Sequence, residues 1–211
     1  MARRLRAGLP LIAMIGAAAC AGKTASESAV TPVSLPLPAV ALAGSRVALY
    51  PLRLVVAEGR LGWDDLLRPR EAALRTADSV IATFLTERAP EVDWVLPEAL
   101  RRAAAQAPGM LPDPDHLGTA VLRGDKVERV PDPLRSELRN LTAVAADRHA
   151  AVPASLVFLQ NPDGSARAEL ALVLVDVRVG TVWFRTVASG EGDGPWSALW
   201  NAMKTLVPDL P

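Results

Sequence analysis

The sequence predicts an α+β (mixed α/β) fold: a single layered domain whose mixed sheet ends in a C-terminal antiparallel meander, with helices packed on it. Three observations predict it. Leu74, Ala77, Val80, Ile81, Phe84 and Leu85 recur at helical spacing within residues 70–88. Two apolar strand-like runs, 154–160 and 166–176, flank Asn161-Pro162-Asp163-Gly164, where Pro and Gly occupy the second and fourth turn positions. Trp196, Leu199, Trp200, Met203 and Leu206 then form one apolar helical face between Pro195 and Pro208.

The domain is expected over residues 45–209. Residues 46–56 read as its first strand, ended or bulged at Pro51, because proline removes a ladder donor. The helix over 70–88 stops at Pro90, and Val92 to Leu96 gives a short strand. Pro97 opens a helix to Gln106, closed by Pro108-Gly109. Residues 110–131 are irregular, with a helical turn somewhere in 115–122. Asp132-Pro133 reads as a helix start with Asp132 as N-cap, and Leu134, Leu138, Leu141, Val144 and Ala145 make its buried stripe. In the run 166–176, Leu170, Leu172 and Leu174 alternate with Ala171, Val173 and Val175; both faces are apolar, which predicts a central strand. Residues 177–180 turn into a third strand, expected over 181–187.

Composition excludes several functions. Lys+Arg and Asp+Glu are equal at 23 each and no basic run occurs, which argues against nucleic acid as a partner. Cys20 is the one cysteine, so no disulfide can staple the domain and packing alone must hold it.

The first residues carry an address. Arg3, Arg4 and Arg6 precede an apolar run, 7–19, that is broken by Pro10 and too short to span a bilayer; Ala17-Ala18-Ala19-Cys20 follows. This resembles the lipobox of bacterial lipoproteins, with Ala17 where the pattern prefers leucine. The resemblance implies a signal peptide at 1–19 and a lipidated (palmitate-bearing) Cys20 as membrane anchor. Without its three arginines the mature chain would carry a net charge of about −3. Residues 20–44, rich in Ala, Ser and Pro, read as a tether, with an edge strand at 38–42 as the alternative. Ala21 lacks the aspartate that retains many lipoproteins in the inner membrane, which points to the outer membrane, facing the periplasm.

Val47-Ala48-Leu49-Tyr50-Pro51-Leu52 near the start, and the stretch from Leu172 through Asp176 to Gly180 near the end, resemble the TolB amino-terminal domain and its relatives, the CsgG and LpoB lipoproteins. That resemblance covers about residues 45–208 and implies an accessory domain that binds another envelope protein. Curli-type secretion, however, needs extra strand segments that form a membrane barrel, and no spare pair of long alternating strands is visible here.

No residue set forms a recognisable active site, and no cofactor, metal or nucleotide is expected. Gly22-Lys23-Thr24 imitates the end of a phosphate loop, but Ala17 replaces its first glycine. Gly190, Gly192 and Gly194 read as a flexible connection, because Glu191 and Asp193 would repel an anion. Asp113, Asp115 and His116 lack a second histidine at ligand spacing and read as a solvated loop. His149 reads as a helix-end cation, with service to Ser155 as the catalytic alternative. Trp63, Asp64 and Asp65 in a glycine-started loop, and Asp176 with Arg178 at the meander turn, are the candidate partner contacts; for Asp176 the simpler role is bonding local backbone amides. The function expected is that of a non-enzymatic lipid-anchored envelope protein. The alternative is a small periplasmic hydrolase or ligand-binding protein with an unrecognised pocket, which converging titratable side chains in a deep pocket would favour.

Overall fold

The computed structural model describes residues 34–208; Cys20 and its surroundings lie outside them. The elements run α1 (Ala39–Leu42), β1 (Arg46–Leu49), β2 (Val55–Ala57), α2 (Arg70–Arg88), β3 (Asp93–Val95), α3 (Pro97–Gln106), α4 (Leu134–Ala145), β4 (His149–Gln160), β5 (Ala166–Asp176), β6 (Thr181–Glu191) and α5 (Pro195–Leu206). Short 3-10 turns occupy Pro114–His116 and Thr119–Arg123 within the irregular stretch.

The sheet is mixed, as the sequence predicts. Its order is β3-β1-β4-β5-β6, with β2 also pairing β4. β1 is parallel to β3 and β4, β2 is parallel to β4, and β4, β5 and β6 are antiparallel neighbours. β1 and β2 lie along successive parts of β4: Leu49 is opposite Ala151 and Val55 opposite Leu156, so the chain around Pro51 holds one extra residue. The missing proline donor and this surplus together explain why one apolar run becomes two strands.

β5 lies between β4 and β6, and its alternation sorts its side chains onto two cores. Leu170, Leu172 and Leu174 join the cluster under α2 and α5, with Phe84, Leu85, Phe158, Leu199 and Met203. Val173 and Val175 join the opposite cluster under α3 and α4, with Tyr50, Leu100, Leu138 and Leu141. Helices cover a hydrophobic cluster on each face of the sheet, which makes three layers: helices, sheet, helices.

Four expectations need correction. Residues 39–42 form a single helical turn rather than part of a free tether or an edge strand. Leu37 and Leu42 are buried, Leu37 N–H donates to Leu206 O (2.7 Å), and Thr186 Oγ1 both accepts from Leu35 N–H and donates to Leu35 O, so packing against the domain begins before residue 45. β4 starts at His149, so that residue opens a strand and caps no helix; sheet pairing overrides the helical preference of Ala150-Ala151. β6 runs on to Glu191, which puts Gly190 inside a strand, where a Cβ would collide with the backbone of Asn201 and Ala202 in α5. This glycine serves close strand–helix approach rather than flexibility. Asp132 does not cap α4: Pro133 holds that position, and the Asp132 carboxylate accepts from Ser136 Oγ instead (2.8 Å).

Candidate functional site

The strongest convergence of charge lies beside α2 and was not singled out from the sequence. Helical spacing puts Arg75, Asp78 and Ser79 on one side of α2 and Glu98 and Arg101 on one side of α3. The 3-10 turn adds Asp115, and the chain between β1 and β2 adds the Leu52 N–H and Arg53. Asp113 fixes that turn by accepting from Asp115 N–H (2.9 Å), while its second oxygen meets His116 Nδ1 (2.7 Å).

Arg101 is the hub. Its Nε and Nη2 donate to the two oxygens of Asp115 (2.8 Å each), Nη2 also reaches Asp78 Oδ2 (2.7 Å), and Nη1 donates to Glu98 Oε1 (2.6 Å). The other Asp78 oxygen accepts from Leu52 N–H (2.8 Å). Side-chain exposure is 14% for Arg101 and 6% for Asp78, so the pair is held largely out of water. Burial pushes the Asp78 carboxyl above its ordinary range, against the Leu52 and Arg101 bonds that pull it down. The Arg101 hydrogen bonds hold the Asp115 carboxyl below its ordinary range.

Two concavities adjoin across Arg75 and Arg101. One, about 570 Å³, lies between α2 and the start of α3, with Ser79, Thr83, Thr86, Leu96 and Pro97 on its walls. The other, about 450 Å³, is lined by Arg53, Arg70, Glu71, Leu74, Asp113 and His116. Both are of small-molecule size. The cluster can order four segments distant in sequence and present charge to a ligand. As an acid–base pair it is poorly disposed, because the Asp78 and Asp115 carboxylates are both engaged by one guanidinium.

The residues singled out from the sequence are scattered. Trp63 packs edge-on against Phe158 (5.4 Å between ring centres) and is half-buried, with Asp64 and Asp65 exposed beside it. Asp176 sits near the opposite end of the long strands, opposite His149 across the ladder. From His149 to Phe158 a strand extends about 30 Å, so the two candidate contact regions form separate surfaces. Asp176 accepts from Arg178 N–H (3.0 Å) and Val179 N–H (3.4 Å) and pairs with Arg148 Nε (2.6 Å); the Arg178 side chain is exposed. Burial acts against the charged form of Asp176, yet these donors together hold its carboxyl below the ordinary range. Trp196 and Trp200 pack on Phe158 and Phe84.

The catalytic and metal alternatives lose their partners. His149 and Ser155 lie on one strand about 20 Å apart. His149 instead packs edge-on against Trp183 (5.8 Å between ring centres), and burial lowers its pKa. Asp115 is turned into the Arg101 fork, away from the metal-ligand role weighed for it with Asp113 and His116. Asp78 and Arg101 were missed because each reads as ordinary helix surface; the available signal was a carboxylate inside the apolar stripe of residues 70–88.

The fold and cleft define a three-layer α/β domain with an ion-paired groove beside its longest helix. No protein-family model and no curated protein matches the chain. Among solved structures it is similar to a PelC variant dodecamer from Paraburkholderia phytofirmans, at 15% identity over 83% of this chain and 93% of that one (TM-score 0.40). It is also similar to the LpoB C-terminal domain from Escherichia coli, at 12% identity over 70% and 83% (TM-score 0.34), and from Salmonella enterica, at 13% over 71% and 84% (TM-score 0.38).

Proposed function

We propose that this chain is a lipid-anchored protein of the cell envelope, attached through Cys20 to the outer membrane on its periplasmic side, and that its domain binds another envelope component without catalysing a reaction. The observation that carries this reading is the lipobox-like Ala17-Ala18-Ala19-Cys20 after a short, positively started apolar run. Among the described residues no helix is long and apolar enough to cross a membrane, so acylation of Cys20 is the attachment that the reading invokes. The engagement of Asp78 and Asp115 by Arg101 supports a binding role over an acid–base one. Trp63, Asp64, Asp65, Asp176 and Arg178 are proposed contacts on two separate surfaces. The ligand-binding alternative is favoured by one observation, the pair of adjoining concavities with converging charged side chains.

Fractionation tests the anchor. Cys20→Ser should leave an unprocessed or released protein, and a fully cleaved Cys20→Ser form that still fractionates with membranes overturns the assignment. Density separation of the two membranes should place the parent protein in the outer one. Affinity purification from detergent-solubilised membranes should then recover a specific partner, and substituting Trp63 or Arg178 should weaken that recovery in a protein that still folds.

A further inference from the structure

We propose that the smaller cleft, at the start of α2, is a binding site for a small ligand carrying two or more negative charges on carboxylate or phosphate groups. Arg101 is already shared among Asp115, Asp78 and Glu98, and Asp113 accepts from Asp115 N–H and meets His116 Nδ1. Three guanidinium groups on the same lining are not satisfied. Arg70 uses one N–H, to the Arg53 carbonyl (3.0 Å). Arg75 makes a single 3.3 Å contact to Glu98, with both side chains more than half exposed. Arg53 makes no ion pair among the described residues. Against them the lining offers one carboxylate with no partner among the described residues, Glu71.

On the lining four arginines stand against three carboxylates, and because Asp78 and Glu98 also draw on Arg101, what the cleft offers a ligand is the unused planar N–H forks of Arg53, Arg70 and Arg75 rather than a large net charge. Each fork can take a carboxylate or a phosphate group bidentately. A ligand with a single charge engages one fork, whereas a polyanion engages several from one bound position. The volume of about 450 Å³ suits a small molecule. The charges of Arg75 and Arg53 both help to lower the Asp115 carboxyl, so their fields already converge inside the cleft. The assignment does not rest on acylation of Cys20 or on a protein partner.

Calorimetric titration of the full-length protein in detergent tests it, with citrate and pyrophosphate as the carboxylate and phosphate probes and acetate as the monovalent control. Ionic strength is held constant with sodium chloride. At least one polyanion should bind ten times more tightly than acetate or better, and the stronger of the two identifies the group preferred. Arg53→Ala and Arg75→Ala should each weaken binding roughly tenfold, the loss expected for hydrogen bonds to a charged group. Glu71→Gln, which removes the opposing carboxylate and keeps every arginine, should strengthen it. Equal affinity for both polyanions and acetate overturns the proposal, as does undiminished binding by an Arg53→Ala/Arg75→Ala protein that melts like the parent. If that double variant melts lower, unchanged or weaker binding by Glu71→Gln overturns it instead.

Discussion

Two aspartate–arginine pairs in this domain use the same chemistry in opposite ways. Asp78 and Arg101 are both largely buried, and they tie the β1–β2 connection, α2, α3 and the 3-10 turn together across long stretches of chain. Asp176 is equally buried, but its partner Arg148 is half exposed, and two of its donors are the backbone N–H groups of the turn that it begins. The first pair is a tertiary clamp; the second is a local turn with an ion pair added. A buried charge left without its partner is costly, whereas an exposed ion pair adds little. The two sites should therefore respond very differently to the same substitution.

The largest effect is expected from Arg101→Ala. It strands Asp78 inside the domain with only the Leu52 N–H, and Asp115 loses its fork. Breaking a buried pair from one side costs about 3–5 kcal/mol, a large share of the roughly 5–15 kcal/mol that holds a domain together. Chemical denaturation should show the midpoint falling strongly. Arg101→Lys keeps the charge and loses the planar fork, so it should fall between parent and alanine variant. A denaturation midpoint for Arg101→Ala equal to that of the parent would show that the clamp is not a stabilising feature.

Acid should separate the two sites by sign. Asp176 has a lowered carboxyl pKa, so its contribution is present above the unfolded value and is lost as pH falls through the folded one. Asp78 has a raised pKa, so the folded state takes up its proton more readily, and acidification through that window favours folding. One proton changes stability by at most about 1.4 kcal/mol per pH unit, and solvent around the exposed Arg148 reduces the Asp176 share. Denaturation curves between pH 6 and pH 3 should show a shallower acid limb for Asp176→Asn and a steeper one for Asp78→Asn. Identical limbs for the two variants would abolish the distinction.

The contrast also marks what sequence reading reaches. The Asp176 turn was legible, because aspartate two residues before a free N–H bonds locally wherever the chain turns. The long helix, the meander and the central place of β5 were legible for a similar reason, since period, proline and glycine act over a few residues. The clamp was not. Asp78 and Arg101 are 23 residues apart, and although Asp78 falls inside the apolar stripe of its helix, nothing in the sequence names Arg101 as its partner until α2 and α3 are placed side by side. The start of β4 failed in the same manner: His149-Ala150-Ala151 is a weak helical tail by propensity, and only the neighbouring β1 and β5 make it a strand. Arg53, Arg70 and Arg75 are dispersed in sequence and become one cleft lining only after folding.

The smallest effect is expected from Arg148→Ala. Its guanidinium is half exposed, so water replaces it when it is removed, and Asp176 keeps the Arg178 and Val179 N–H groups as donors. The turn geometry does not depend on the arginine, because those two donors come from the chain that forms the turn. The denaturation midpoint should fall several times less than for Arg101→Ala, and added salt should shrink the difference further, as screening weakens what remains of an exposed pair. His149, beside Arg148 and facing Asp176 across the ladder, feels a repulsive contribution from that arginine, so its pKa should rise slightly in the variant, readable from its ring proton shifts during titration. An effect of Arg148→Ala as large as that of Arg101→Ala would mean that the ion pair, and not the backbone amides, holds the meander turn.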